Sequence, residues 1–165
     1  MMNSSLLLER FLQNYRFNMV KPYLKGNVLD FGGNYGELGK YVSGRYLVVN
    51  YDHTAMNNKC FDIIIALAVI EHIHPDEVNL IFKKFKLILN KKGKIILTTP
   101  TRRAKLLLKA FALIGVLDKG AVAEHKHYWT KKELYIMAKR AGFVVTKYIK
   151  FQLGFNQFAI LEHLE

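Results

Sequence analysis

Cysteine is nearly absent: the 165 residues contain only Cys60, so no internal disulfide can form. A lone cysteine of this kind is expected as a small buried hydrophobe in a cytoplasmic protein. Long apolar runs are missing too, since none approaches the roughly 20 residues that cross a bilayer as a helix. Met1 to Leu8 lack a basic region and a small-residue cleavage site, so no secretory signal is expected. Repeats, low-complexity stretches and linkers are absent, which leaves residues 1–165 as a single domain able to bury about two thirds of its unfolded surface. Acid is scarce in the second half. Residues 83–165 hold 18 lysines and arginines against five acids, a net +13, whereas residues 1–82 hold 7 against 8, a net −1. Such asymmetry suits an anionic partner: RNA, an acidic lipid surface or a phosphorylated small molecule. It equally suits a wet lysine face, as in Phe82-Lys-Lys-Phe-Lys-Leu-Ile-Leu89.

What is present is a globular composition, 51% hydrophobic and 13% aromatic, and one stretch that carries chemistry. In Val28-Leu-Asp-Phe-Gly-Gly-Asn-Tyr-Gly36 an apolar strand passes through an acid into a glycine turn. Gly32, Gly33 and Gly36 can bring bare backbone close to a ligand, and a helix beginning near Tyr35 would turn its amides to the same crevice. Asp30 would repel a pyrophosphate and suits a cationic or hydroxyl-rich ligand. A second acid, Asp52, ends the apolar run Arg45-Tyr-Leu-Val-Val-Asn-Tyr51, 22 residues after Asp30. In nucleoside folds this is the place of the ribose-diol acceptor.

Elsewhere the periodicities predict a helix from Ser4 to before Pro22, strands at 27–31, 45–51 and 61–67, and a helix over 35–43. A helix runs from Pro75 to about Leu89, ended by Lys92-Gly93, and a buried strand spans 94–99. Residues 102–117 read as a cationic, leucine-rich helix, and 131–141 as a helix capped by Thr130 and ended by Gly142. Two β-rich runs, 143–153 and 155–161, meet at Gly154 as an antiparallel hairpin.

Five segments in register resemble the class I S-adenosylmethionine-dependent methyltransferases: VLDFGGNYG, YLVVNYD, FDIIIALAVIEHIHP, LILNKKGKIILTTP and EHKHYWTKKELYIMAKRAGF. Together they cover most of residues 27–145. The resemblance implies an α/β fold, a Rossmann-like three-layer α/β/α sandwich whose mostly parallel sheet has family order 2-1-4-5-7-6 and one antiparallel strand. Strand 3 is expected to be missing, because only residues 53–60 separate Asp52 from Phe61. Eight extended residues reach about 26 to 29 Å, enough for a bare strap returning to the next strand. That would leave the second strand as an edge, which predicts pairing across a homodimer.

The resemblance further implies S-adenosyl-L-methionine as cofactor, bound by Asp30, Gly32, Gly33, Asn34, Gly36, Asp52, His53, Ala66 and Leu67. Asn34 replaces a family glycine, and asparagine is the side chain most tolerant of left-handed backbone. Residues 1–25 would form a lid helix and 100–130 a substrate-covering insertion, in which His127 is the candidate general base. Some relatives use a Glu-x-x-Glu-His motif and a later histidine as metal ligands. Here Ala68 replaces the first glutamate before Glu71 and His72, so no metal site is expected. The acceptor would be a small molecule, lipid or glycan. Alternatives are a non-catalytic scaffold, an RNA 2′-O-methyltransferase-like enzyme, and a nicotinamide enzyme suggested by Asn34-Tyr-Gly-Glu-Leu-Gly39.

Overall fold

The computed structural model describes residues 4–50, 56, 60–105 and 125–164. Six strands form one sheet: β1 (Val28–Phe31), β2 (Tyr46–Val49), β3 (Phe61–Leu67), β4 (Leu89–Pro100), β5 (Phe143–Phe151) and β6 (Asn156–His163). Their order is β2-β1-β3-β4-β6-β5. β1 lies parallel to β2 and β3, and β3 parallel to β4, while β6 runs antiparallel to β4 and β5. In the family's strand names this is the expected order. Among the described residues no strand lies between β2 and β3; within the short link, Met56 is buried in the core.

The helices are α1 (Ser4–Val20), α2 (Pro75–Ile88) and α3 (Lys131–Arg140). On one face α2 packs Val78, Ile81, Phe82, Phe85 and Ile88 onto the sheet, beside Leu134, Met137 and Ala138 of α3. On the other, Val20, Leu24 and Leu38 meet Ile63, Ile65, Ile96 and Phe158. All four β1 residues are buried, as a central parallel strand covered on both sides requires. Local chemistry sets the boundaries. Pro75 opens α2, and Thr130 with Glu133 makes a complete capping box at α3. Gly142 leaves α3 at φ +82°, a left-handed exit that costs glycine little. The β5–β6 hairpin turns through Gln152, Leu153 and Gly154, all at positive φ. Edge strand β5 carries a register shift between Val145 and Lys147 and exposes Lys147 and Lys150, which blunts it against further pairing.

Four expectations need correction. The helix over 35–43 is a five-residue 3-10 turn, Glu37–Tyr41. Gly36 and Gly39 would each cost a helix about 1 kcal/mol, and of the turn's residues only Leu38 is buried. The strand expected at 45–51 ends at Val49, and that expected at 94–99 extends to Leu89–Pro100, with Gly93 inside it. Cys60 is exposed, at the residue immediately before β3. Of the helix expected at 102–117, residues 102–105 are helical; 106–124 lie outside the described residues.

Candidate functional site

β1 ends in a left-handed loop at the carboxyl tips of the parallel strands. Gly32 has φ +76°, Asn34 φ 48° and Gly36 φ +73°. The Gly32 amide donates to the Val49 carbonyl (2.8 Å), which carries the β1–β2 ladder into the turn. The Asn50 side chain then clamps Asn34 from both sides, accepting from its amide at 3.0 Å and donating to its carbonyl at 3.1 Å. Asparagine at 34 is therefore held in the very region it tolerates best. Nothing in the sequence singles out Asn50 beyond its place one residue past the end of β2.

The glycines are required by close approach. A methyl group on Gly32 would come within 2.5 Å of the Val69 side chain, and one on Gly33 within 2.3 Å of the Asp30 carboxyl. Asp30 thus lies beneath the loop, 3% exposed, and accepts a short hydrogen bond from the Tyr46 hydroxyl. Burial pushes its pKa up to about 6 although the Tyr46 bond opposes the shift. It packs directly against the Gly33 backbone. Such a loop, with a buried acid behind it, fits the polar amino and hydroxyl groups of an adenosyl amino acid. Ala66 is buried and Leu67 half-buried where β3 reaches the same end, and Ala68 turns away at φ 56°. Asp52 and His53 lie outside the described residues. A hollow of about 620 Å³ lined by Arg45, Tyr46, Leu47 and Cys60 opens beside β2, and Asn27, Val28 and Phe61 put it at the strands' amino ends.

The polar group beyond β3 is assembled from distant segments. Glu71 is 1% exposed, accepts from the Thr99 hydroxyl of β4 (3.0 Å), and its backbone carbonyl takes the Lys126 and His127 amides at 2.8 and 3.1 Å. That anchoring swings the 125–130 loop over the tips. Trp129 fastens it further, its indole N–H donating to the Ile70 carbonyl (3.2 Å), while the buried Gln157 amide donates to the Trp129 carbonyl (2.6 Å). His125 consequently stacks edge-on against His72 with ring centroids 4.7 Å apart, its Nδ1 2.9 Å from the Tyr128 hydroxyl. Burial, then the neighbouring His72, pushes the His125 pKa down to about 4, so its ring is neutral at pH 7. Burial pushes Glu71 up to about 7, against hydrogen bonds from its own backbone and Thr99 and the charge of Arg16 on α1. One ligand atom each from Glu71, His72 and His125 lies within 4.8 Å of the others, a donor set able to hold a borderline metal ion.

His127 is placed differently. Its Nε2 lies 3.4 Å from Glu133 Oε1, and its ring meets Trp129 edge-on at 4.8 Å. Glu71, His72 and His127 stand out in the sequence; His125, Arg16, Thr99 and Tyr128 do not, because their part depends on contacts across the fold.

A family model described as a methyltransferase domain matches residues 7–148. No curated protein matches the chain. Among solved structures, the chain is similar to a mitomycin 7-O-methyltransferase (TM-score 0.64, 13% identity, 84% of this chain and 49% of that one). It is also similar to a magnesium protoporphyrin IX methyltransferase from Synechocystis PCC 6803 with bound SAH (TM-score 0.63, 12% identity, 93% and 82%). A third is a small RNA methyltransferase (TM-score 0.67, 19% identity, 95% and 25%). The chain spans about half the length of the first of these, 49%. The family match over 142 of 165 residues, on a sheet of the expected order, places the chain among the class I S-adenosylmethionine-dependent methyltransferases.

Proposed function

We propose that the protein transfers a methyl group from S-adenosyl-L-methionine to a small-molecule, lipid or glycan acceptor. The observation that carries this reading is the left-handed Gly32–Gly36 loop, pinned by Asn50 at the tips of the parallel sheet within the family match. The cofactor supplies an electrophilic methyl on a sulfonium. In-line displacement then gains mostly from alignment and from exclusion of water. Gly32, Gly33, Asn34 and Gly36 would hold the amino-acid and ribose side, with Asp30 supporting them. Asp52 and His53 would take the ribose hydroxyls, and Ala66 and Leu67 the floor.

The acceptor would lie above Glu71, His72 and His125, with α1 and its Arg16 closing the site from outside. Neutral His125, its ring oriented by Tyr128, can accept a hydrogen bond from the acceptor hydroxyl, but a ring whose pKa is held down to about 4 is a weak base. His127, paired with Glu133, is the candidate base. Calorimetry with S-adenosylmethionine tests the reading as a whole, and no binding at millimolar cofactor would favour a non-catalytic scaffold. Asp52→Ala should weaken cofactor binding more than tenfold with an unchanged melting curve. Equal affinity removes Asp52 from the site.

A second reading, metal-assisted methylation of an RNA ribose hydroxyl, is favoured by the Glu71-His72-His125 group and by the basic second half. It predicts that Co²⁺ binds once, with absorption bands of imidazole ligation, and that His125→Ala lowers its affinity at least tenfold. Absence of those bands at millimolar Co²⁺ would leave the three side chains to proton transfer alone.

A further inference from the structure

The two helices covering one face of the sheet carry an outer surface that the methyl-transfer reading does not use. On α2, Leu80, Lys83, Lys84 and Leu87 follow the i, i+3, i+4, i+7 spacing and point away from the core, Leu87 being 83% and Leu80 60% exposed. On α3 the same spacing turns out Lys132, Tyr135, Ile136 and Lys139, with Ile136 40% and Tyr135 39% exposed. Both helices start at the strand tips and descend toward the opposite end, because each connects strands that run parallel. They therefore lie side by side. At their lower ends the Lys86 ammonium reaches Gly142, where an added methyl would come within 2.1 Å of it. The two outer stripes thus form one surface.

Core packing does not account for the exposed aliphatics, since each helix already buries a complete inner row. Below the first turns the charge on this surface has one sign; Asp76 and Glu77, both exposed, stand on the same α2 stripe one turn above Leu80. No acid occurs in residues 78–117 or 134–161. The acids of the two helices, Asp76, Glu77 and Glu133, sit in the first turns, and Glu133 is engaged by Thr130 and His127.

Leucines standing out from a lysine field suit a partner that is apolar beneath and anionic above. We propose that this face docks on an anionic phospholipid surface, Leu80 and Leu87 entering the headgroup boundary while Lys83, Lys84, Lys132 and Lys139 meet phosphates. Lysine stems add apolar cover and keep their charges at the interface. Single-stranded RNA is the poorer match, because sequence-tolerant RNA binding stacks bases on aromatic faces, and the aromatic side chain on this face, Tyr135, is already met edge-on by Tyr148 and covered by the Lys131 ammonium, while the leucines offer no ring.

Vesicle co-sedimentation of the full chain tests the proposal. Binding is expected to vesicles of phosphatidylcholine mixed with phosphatidylglycerol and not to phosphatidylcholine alone, and it should fall as salt rises. Leu87→Glu and the pair Lys83→Glu/Lys84→Glu should each weaken it at least tenfold, with melting curves and cofactor affinity unchanged, as exposed positions allow. No binding to the mixed vesicles overturns the proposal. So does binding that Leu87→Glu leaves intact, or a dimer that Leu87→Glu dissociates, which would mean a second copy covers the face. RNA affinity lost with the lysines but indifferent to Leu87 would make it a nucleic-acid surface instead.

Discussion

Gly33→Ala is expected to weaken S-adenosylmethionine binding ten- to a hundredfold by calorimetry. The added carbon would stand 2.3 Å from the Asp30 carboxyl, far inside contact distance. Asp30 cannot simply swing aside, because it is buried and holds the Tyr46 hydroxyl. The loop must lift instead, which carries Asn34 away from the Asn50 clamp and spoils the backbone geometry presented to the ligand. Overpacking of this kind costs about 1 to 3 kcal/mol, the same range as the affinity loss. A second substitution isolates the cause. In an Asp30→Ala background the methyl has room, so Gly33→Ala should then cost far less than it does alone. Equal losses in both backgrounds would place the loop's sensitivity elsewhere.

Glu71→Gln is the second large effect, and it is read in stability against pH. The folded pKa of Glu71 stands at about 7 against an ordinary 4.5. Between those values the native state binds more protons than the unfolded chain, so stability falls as pH rises through this window and is level above it. The difference amounts to about 3 kcal/mol lost between pH 4.5 and pH 7. Glutamine does not titrate, so urea midpoints of Glu71→Gln should lose that slope. The residual decline between about pH 4 and pH 6 belongs to Asp30, whose pKa is raised to about 6 from 3.8. An unchanged slope in Glu71→Gln would mean that Glu71 is ionised in the fold throughout. Thr99 still has an acceptor in glutamine, which limits collateral damage.

Much of this fold was legible in the chain because its signals are local. Pro75, the Thr130-Glu133 box, the Gly142 exit and the turn before Phe155 each act on residues within one turn of themselves. Strand order followed from the family-like segments, while the extended strap expected over 53–60 lies, but for Met56 and Cys60, outside the described residues. The 35–43 helix failed for a local reason given too little weight, two glycines in a segment that buries one leucine.

The site divides along the same line. The chain alone determined the glycine loop, since the close approaches at Gly32 and Gly33 leave no room for a Cβ, and it marked Glu71-His72 and the 125–129 passage as chemically loaded. Tertiary packing decided the rest: that Asp30 faces Tyr46 from below, that Asn50 clamps Asn34, and that His125, rather than His127, meets His72. Arg16, Glu71, Thr99 and Tyr128 span more than 100 positions of sequence. Their convergence depends on which faces of α1, β4 and the 125–130 loop the core leaves toward one another, and no spacing rule within a single segment carries that information.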